Sequence, residues 1–110
     1  AIDFKNYHET IINDFNNKLD NYDGKVYLFG GHIFSQYLIK FGLKTDKIKC
    51  ILDNSEEKNK CRLYGTILII EYPEIIKDNE KCAVILKVAT YQDEIKKQLY
   101  EINKDVVIFE

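Results

Sequence analysis

The stretch Lys25-Val26-Tyr27-Leu28-Phe29-Gly30-Gly31-His32 decides the fold that we expect for this chain of 110 residues. After the lysine, the run up to Phe29 is β-branched, aromatic or aliphatic, which predicts a short buried strand. The two glycines allow a tight turn. From residue 32 to residue 41 the apolar residues recur at helical spacing, and Gly42 is a natural helix stop. This strand–turn–helix unit is typical of a parallel α/β sheet.

The rest of the chain continues this alternation. The spacing predicts three further helices, at residues 3–22, 73–77 and 91–102. The first of these is a leading helix, and Asp3 is its predicted N-cap. Short apolar runs predict four further strands: residues 48–52, 66–70, 82–88 and 106–109. Right-handed crossovers then favour a Rossmann-like three-layer α/β fold with a mostly parallel five-stranded sheet of order 3-2-1-4-5. The fourth strand is almost wholly apolar, so we expect it in the interior of the sheet.

We expect one domain, in which a leading helix (residues 1–24) precedes the Rossmann-like part (residues 25–110). Five apolar residues are predicted to form its central core: Phe29, Leu38, Ile51, Val84 and Ile85.

The composition excludes several classes of protein. With 45% hydrophobic and 31% charged residues, the chain is neither disordered, nor collagen-like, nor a disulfide-stapled miniprotein. No apolar run approaches the ~20 residues of a membrane span, and the N-terminal residues do not resemble a signal peptide. The net charge is -2, and Arg62 is the single arginine among 16 basic residues. We therefore expect binding to neither nucleic acid nor membranes.

The cysteines indicate buried free thiols rather than a disulfide or metal site. Cys50, Cys61 and Cys82 are odd in number, form no C-x-x-C pair, and lie at no zinc-ligand spacing from His8 or His32. Cys50 and Cys82 stand inside apolar stretches, where a thiol behaves as a small hydrophobe. We expect no bound metal and a reducing, cytoplasmic location.

Two segments are predicted to meet where strand order reverses, which is where open α/β sheets bind ligands. These are the turn through Gly30 and Gly31, and the residues Asp53 and Asn54 that follow the second strand. Asp53 follows the glycines at about the 20-residue spacing of an acid that binds a ribose hydroxyl. Ser35 stands where a dinucleotide fingerprint has a close-packing glycine, which argues against NAD or a flavin. The alternative is a tight turn with no ligand.

His32 is expected in the first turn of the second helix, where the helix dipole lowers its pKa and favours neutral imidazole. It would then either hydrogen-bond a phosphate or sugar hydroxyl, or cap its own helix. No serine or cysteine nucleophile with a paired base and an orienting acid can be assembled, so we assign no catalytic residue.

Tyr64 follows a polar loop that carries Lys58, Lys60 and Arg62. Placed near the carboxyl end of the sheet, these cations would neutralise a diphosphate, and Tyr64 would join the ligand contacts. The alternative is an ordinary solvated loop.

Three segments, in this order and spacing, resemble the C-terminal domain of bacterial sugar C-methyltransferases, which depend on S-adenosylmethionine: Val26-Tyr27-Leu28-Phe29-Gly30-Gly31-His32, Ile51-Leu52-Asp53-Asn54-Ser55 and Leu63-Tyr64-Gly65-Thr66. The usual pattern there is a leading helix, a strand with a glycine-alanine turn, a D-N/R-x-x-x-K-x-G stretch and a strand after G-T. The resemblance covers essentially the whole chain. Gly31 stands where the family commonly has alanine, and Lys60-Cys61 stands near where lysine-glycine would be.

The resemblance implies one domain of a longer methyltransferase, whose S-adenosylmethionine and zinc cysteines belong to other domains. This domain would hold no cofactor, would be inactive alone, and would bind a nucleotide-sugar beside the methyl-donor domain of the parent chain. The chain is also similar to the N-terminal nucleotide-sugar-binding domain of sugar acyltransferases, although it has no hexapeptide repeats. A ligand-free interaction or scaffold domain, and a small free-standing enzyme that uses His32, are the remaining alternatives.

Overall fold

Five strands form one parallel sheet of order β3-β2-β1-β4-β5 in the computed structural model, which describes residues 4–77, 81–88 and 90–110 (4–8, 33 and 34 by their backbone alone). The strands are β1 (Lys25–Phe29), β2 (Ile48–Leu52), β3 (Ile70–Glu71), β4 (Cys82–Ile85) and β5 (Val107–Phe109). The helices are α1 (Phe4–Asp20), α2 (Ile33–Lys40) and α3 (Gln92–Ile102), with 3-10 turns at Thr45–Lys47 and Pro73–Lys77. The predicted fold class and strand order are confirmed. The proposed cap of α1, Asp3, lies outside the described residues.

Side chains alternate between the two faces of the sheet, as the pleat of a strand requires. Val26 and Leu28 of β1 face one core, which α1 and α2 cover. Tyr27 and Phe29 face a second core, which α3 and the Pro73–Lys77 turn cover. The five predicted core residues are all buried. They are divided between the two cores, because parallel strands with helices on both faces are apolar on both sides.

The predicted stop of the second helix is confirmed at Gly42, which has φ +117°. The amide of Gly42 donates to the carbonyl of Ile39 (3.2 Å), and the amide of Leu43 donates to the carbonyl of Leu38 (2.9 Å). This is the Schellman arrangement, which satisfies carbonyls that the helix leaves without a partner. Leu38 and Leu43 are both buried, so the cap also directs the chain into the core.

The third strand was predicted over residues 66–70, and that range is wrong: β3 begins at Ile70. The preceding residues fold back as a hairpin on residues 60–63. Leu63 donates its amide to the carbonyl of Leu68 (2.8 Å), and Ile70 donates its amide to the carbonyl of Cys61 (2.7 Å). The apolar run therefore makes most of its main-chain hydrogen bonds within this hairpin rather than with β2. We call residues 60–69 the edge hairpin.

The fourth strand lies in the sheet interior as predicted, but it ends at Ile85 rather than at residue 88. The side chain of Gln92 takes over as hydrogen-bond partner of the main chain beyond that point. Its Nε2 donates to the carbonyl of Leu86 (2.9 Å), and its Oε1 accepts from the amide of Val88 (3.0 Å). These two bonds join Leu86 and Val88 to the start of α3. No helix in the described ranges is long and apolar enough to cross a bilayer.

Candidate functional site

The sheet reverses its strand order beside β1, and the turn after β1 lies at the carboxyl ends of the strands there. Gly30 has φ +112°, a conformation that residues with a Cβ rarely adopt. Its amide donates to the carbonyl of Leu52 (2.7 Å), which ties the turn to the end of β2. Its carbonyl accepts from the Ser35 hydroxyl (2.5 Å), which is buried. This hydrogen bond joins the start of α2 to the turn.

Asp53 holds the turn from the side of β2 by two hydrogen bonds, which we call the Asp53 clamp. Its Oδ2 accepts the amide of Gly31 (2.7 Å), and its Oδ1 accepts the amide of Ser55 (2.8 Å). Both bonds are charge-assisted, the stronger kind of protein hydrogen bond. The prediction brought Gly30, Gly31 and Asp53 together, and the structure does so. The amides of both glycines are used inside the protein, however, so they are not the amides that a ligand would bind.

His32 stands directly before α2, and its carbonyl accepts the amide of Gln36 (3.3 Å). The imidazole folds back over Gly30: a Cβ built on Gly30 would overlap Nε2 and lie 2.7 Å from Cδ2. Burial lowers the pKa of His32, the charge of Lys58 lowers it further, and Asp53 opposes both effects. The favoured neutral imidazole agrees with the sequence prediction, but the leading cause is burial rather than the helix dipole.

Only one of the three predicted loop cations approaches the turn. A Cβ on Gly31 would lie 3.4 Å from both Cδ of Lys58 and Oδ2 of Asp53, so the Lys58 stem passes over the turn. Lys60 instead forms an ion pair with Glu71, with both oxygens at 2.7 Å. Arg62 belongs to the edge hairpin, where it bridges to Ile69. We call Gly30, Gly31, His32, Asp53 and Lys58 the switch cluster.

The side chain of Asn54 pairs with α3. Its Nδ2 donates to Oε1 of Gln98 (2.9 Å), and Nε2 of Gln98 donates to Oδ1 of Asn54 (2.8 Å). The reciprocal pair joins the loop after β2 to the helix that follows β4. Sequence reasoning missed Gln98 because no local signal connects two polar residues 44 positions apart.

Tyr64 does not join the switch cluster. It is 84% exposed at the tip of the edge hairpin and lines a groove of about 1110 Å³ together with Asp46 and Ile48. Ile48 begins β2 and Asp53 follows its end, so roughly 16 Å of strand separates the groove from the clamp. The groove therefore lies at the amino end of the sheet, opposite the predicted site.

Within the described part of the chain, no three His, Cys, Asp or Glu side chains are grouped so that they could hold a metal ion. Burial raises the pKa of the Cys50 thiol to about 11, so this thiol stays protonated at neutral pH. Cys50 and Cys82 are buried as predicted, and Cys61 is exposed.

The chain was compared with protein-family models, with curated proteins and with solved structures. None of the three comparisons finds a match. The geometry of the switch cluster and the sequence resemblance are thus the grounds on which a function is proposed.

Proposed function

We propose that this chain is a non-catalytic nucleotide-sugar-binding domain, and that it serves as the C-terminal domain of a cytoplasmic sugar C-methyltransferase-like enzyme. The observation that carries the proposal is the clamp by Asp53, which accepts the Gly31 amide at 2.7 Å and the Ser55 amide at 2.8 Å. This clamp fixes a glycine turn in front of a helix start at the position where α/β sheets bind nucleotides.

A diphosphate fits the remaining chemistry of this turn. The amides of Gly30 and Gly31 are already bonded, so the donors offered to a phosphate are the first amides of α2, which have no acceptor within a helix. Lys58 adds a positive charge over the turn. Asp53 retains lone pairs for a hydroxyl, because each carboxylate oxygen can accept two hydrogen bonds.

The backbone at Lys60 supports the family assignment. Counting the D-N-x-x-x-K-x-G pattern from Asp53 places its lysine on Lys58 and its glycine on Lys60. Lys60 has φ +68°, the left-handed region that favours glycine, and it is the one non-glycine residue with positive φ among those described. The loop therefore has the shape that the pattern's glycine would allow. In this proposal S-adenosylmethionine belongs to the methyl-donor domain of the parent chain, which the gene's reading frame would reveal.

The test is an amide chemical-shift titration with UDP-glucose, CDP-glucose, ADP-glucose and GDP-glucose. We expect shifts concentrated at residues 30–34 and 53–58. Lys58→Ala should weaken binding by about five- to tenfold, because it removes a charge-assisted contact at a half-exposed position. Lys104→Ala is the matched control, since Lys104 precedes β5 at the opposite end of the sheet. An absence of shifts at the switch cluster with all four ligands would refute the proposal.

A second function, an interaction domain, is favoured by the edge hairpin. Tyr64 and Ile67 are 84% and 85% exposed at its tip, next to the groove. Large apolar side chains exposed together are typical of protein-binding surfaces. Shifts confined to residues 62–68 on addition of a partner protein, with no response to nucleotide-sugars, would favour this function.

A further inference from the structure

The side-chain carboxamides of Asn54 and Gln98 form two hydrogen bonds with each other, and the stability of the fold does not require them. Asn54 is exposed and Gln98 is half-buried, so the two hydrogen bonds between them are made in contact with water. Such bonds contribute little to stability, because water can replace either partner. The two amides nevertheless pair with each other near the carboxyl end of β2.

The place of Asn54 in the chain relates the pair to the path of a bound nucleotide. Asn54 directly follows the Asp53 clamp at the carboxyl end of β2. When nucleotides bind to sheets of this type, the phosphates occupy the turn after the first strand, and the nucleoside extends towards the end of the second. A ligand with its diphosphate at the start of α2 would therefore bring its base towards Asn54 and Gln98.

The hydrogen-bonding capacity of the pair matches the edge of a base. A carboxamide has two N–H groups and two carbonyl lone pairs, and reciprocal pairing uses one of each. Each side chain thus keeps one donor and one acceptor for another partner. The free donor and acceptor of one amide point to opposite edges of the pair, but Nδ2 of Asn54 and Oε1 of Gln98 lie 2.9 Å apart on the same edge and together keep one donor and one acceptor. Base edges likewise carry a donor and an acceptor side by side. A sugar hydroxyl, by contrast, presents a single oxygen.

We propose that Asn54 and Gln98 form the base-recognition edge of the nucleotide site, with a nucleoside diphosphate as ligand class. The inference rests on the proposed function and adds to it the residues that distinguish a nucleotide from a bare diphosphate. The switch cluster binds the phosphates, and the amide pair binds the base.

The test is calorimetric titration with inorganic pyrophosphate and with UDP, CDP, ADP and GDP. The unmodified chain should bind at least one nucleotide roughly tenfold more tightly than pyrophosphate, the gain expected from two hydrogen bonds to the base. Gln98→Ala and Asn54→Ala should each remove most of this gain and leave the pyrophosphate affinity unchanged. Asn13→Ala, which deletes a carboxamide from the exposed face of α1, should change neither affinity.

The conservative variant Gln98→Glu gives a second readout. It keeps the acceptor towards Nδ2 of Asn54 but removes both N–H groups of Gln98, the one that bonds Oδ1 of Asn54 and the one left for a base, so the order of preference among the four nucleotides should change. If pyrophosphate binds and no nucleotide binds more tightly, or if the Asn54 and Gln98 variants bind like the unmodified chain, this inference fails and the proposed function stands. If neither pyrophosphate nor any nucleotide binds, both fail.

Discussion

Replacing Gly30 by alanine should damage the turn, whereas the same change at Gly31 should be tolerated. Gly30 has φ +112°, and a Cβ there would overlap Nε2 of His32. Gly31 does not lie in the strained region of φ, and its added Cβ would meet Cδ1 of Ile70 at 2.9 Å. That atom is the far end of a flexible side chain and can move by a few tenths of an ångström. The two neighbouring glycines thus have different physical reasons to be glycine.

The expected magnitudes follow from these contacts. Forcing a residue with a Cβ into a sparsely populated backbone region costs roughly 1–3 kcal/mol. Displacing the half-buried imidazole of His32 adds to that, so we expect Gly30→Ala to lower the free energy of unfolding by about 2–4 kcal/mol. For Gly31→Ala, the lower entropy of the unfolded chain contributes about 0.4–1 kcal/mol of stability. This gain offsets the shift of Ile70, and the net change should stay within about 1 kcal/mol.

Urea denaturation of the three proteins, followed by far-UV circular dichroism, measures the difference. With an m-value of about 2 kcal/mol/M, Gly30→Ala should lower the midpoint by about 1–2 M, while the Gly31→Ala midpoint stays close to that of the unmodified chain. Equal midpoints for the two variants would refute the reasoning, because they would show that neither the φ of Gly30 nor the position of His32 constrains the turn.

The other predictions concern the core, the cysteines and His32. Ile85→Ala should cost about 2–4 kcal/mol in urea denaturation through the cavity that it leaves, whereas Val107→Ala at the exposed edge of β5 should cost less than about 1 kcal/mol; similar costs would show that the core is misassigned. Iodoacetamide at pH 8 should label Cys61 alone in the folded chain and all three cysteines in denaturant, and rapid labelling of Cys50 without denaturant would contradict its burial. The pKa of His32 is lowered in the folded chain, so the unfolded chain takes up the proton first as the pH falls below the ordinary value of 6.5. Stability should therefore decrease from pH 7 to pH 5, less so in His32→Gln, and identical slopes would exclude this contribution.

Local sequence patterns were sufficient to predict the elements and their order. The change of apolar spacing at Gly30, from strand to helix, marks the start of a parallel α/β unit. Burial of apolar side chains on both faces of the sheet stabilises the elements that this spacing predicts. Gly42 was predictable as a helix stop for the same reason, since its role depends on the backbone of its own helix. Asp53 was expected beside the glycine turn because the ends of parallel strands meet at one edge.

The contacts between residues of different elements were not predictable in the same way. The apolar run at residues 67–70 has the pattern of a strand, but pattern alone does not show whether it pairs with β2 or with residues 60–63. Tyr64 is close to Lys58 in sequence, yet the edge hairpin carries it to the opposite end of the sheet. The pairing of Asn54 with Gln98 depends on the packing of α3, which local sequence does not encode. These misses all concern tertiary distance rather than the type of element.

The edge hairpin also determines how the sheet can associate with other chains. An unpaired edge strand is a template for β-strand addition, and residues 60–63 occupy that position beside β3. The outer side of the hairpin is itself a poor template, because it is short, carries Lys60 and Arg62, and is bent by the positive φ of Lys60. In the described part of the chain, the other edge of the sheet is β5, which contributes just three residues. Growth of the sheet into aggregates is therefore opposed at both edges, by a folded cover at one and by brevity at the other.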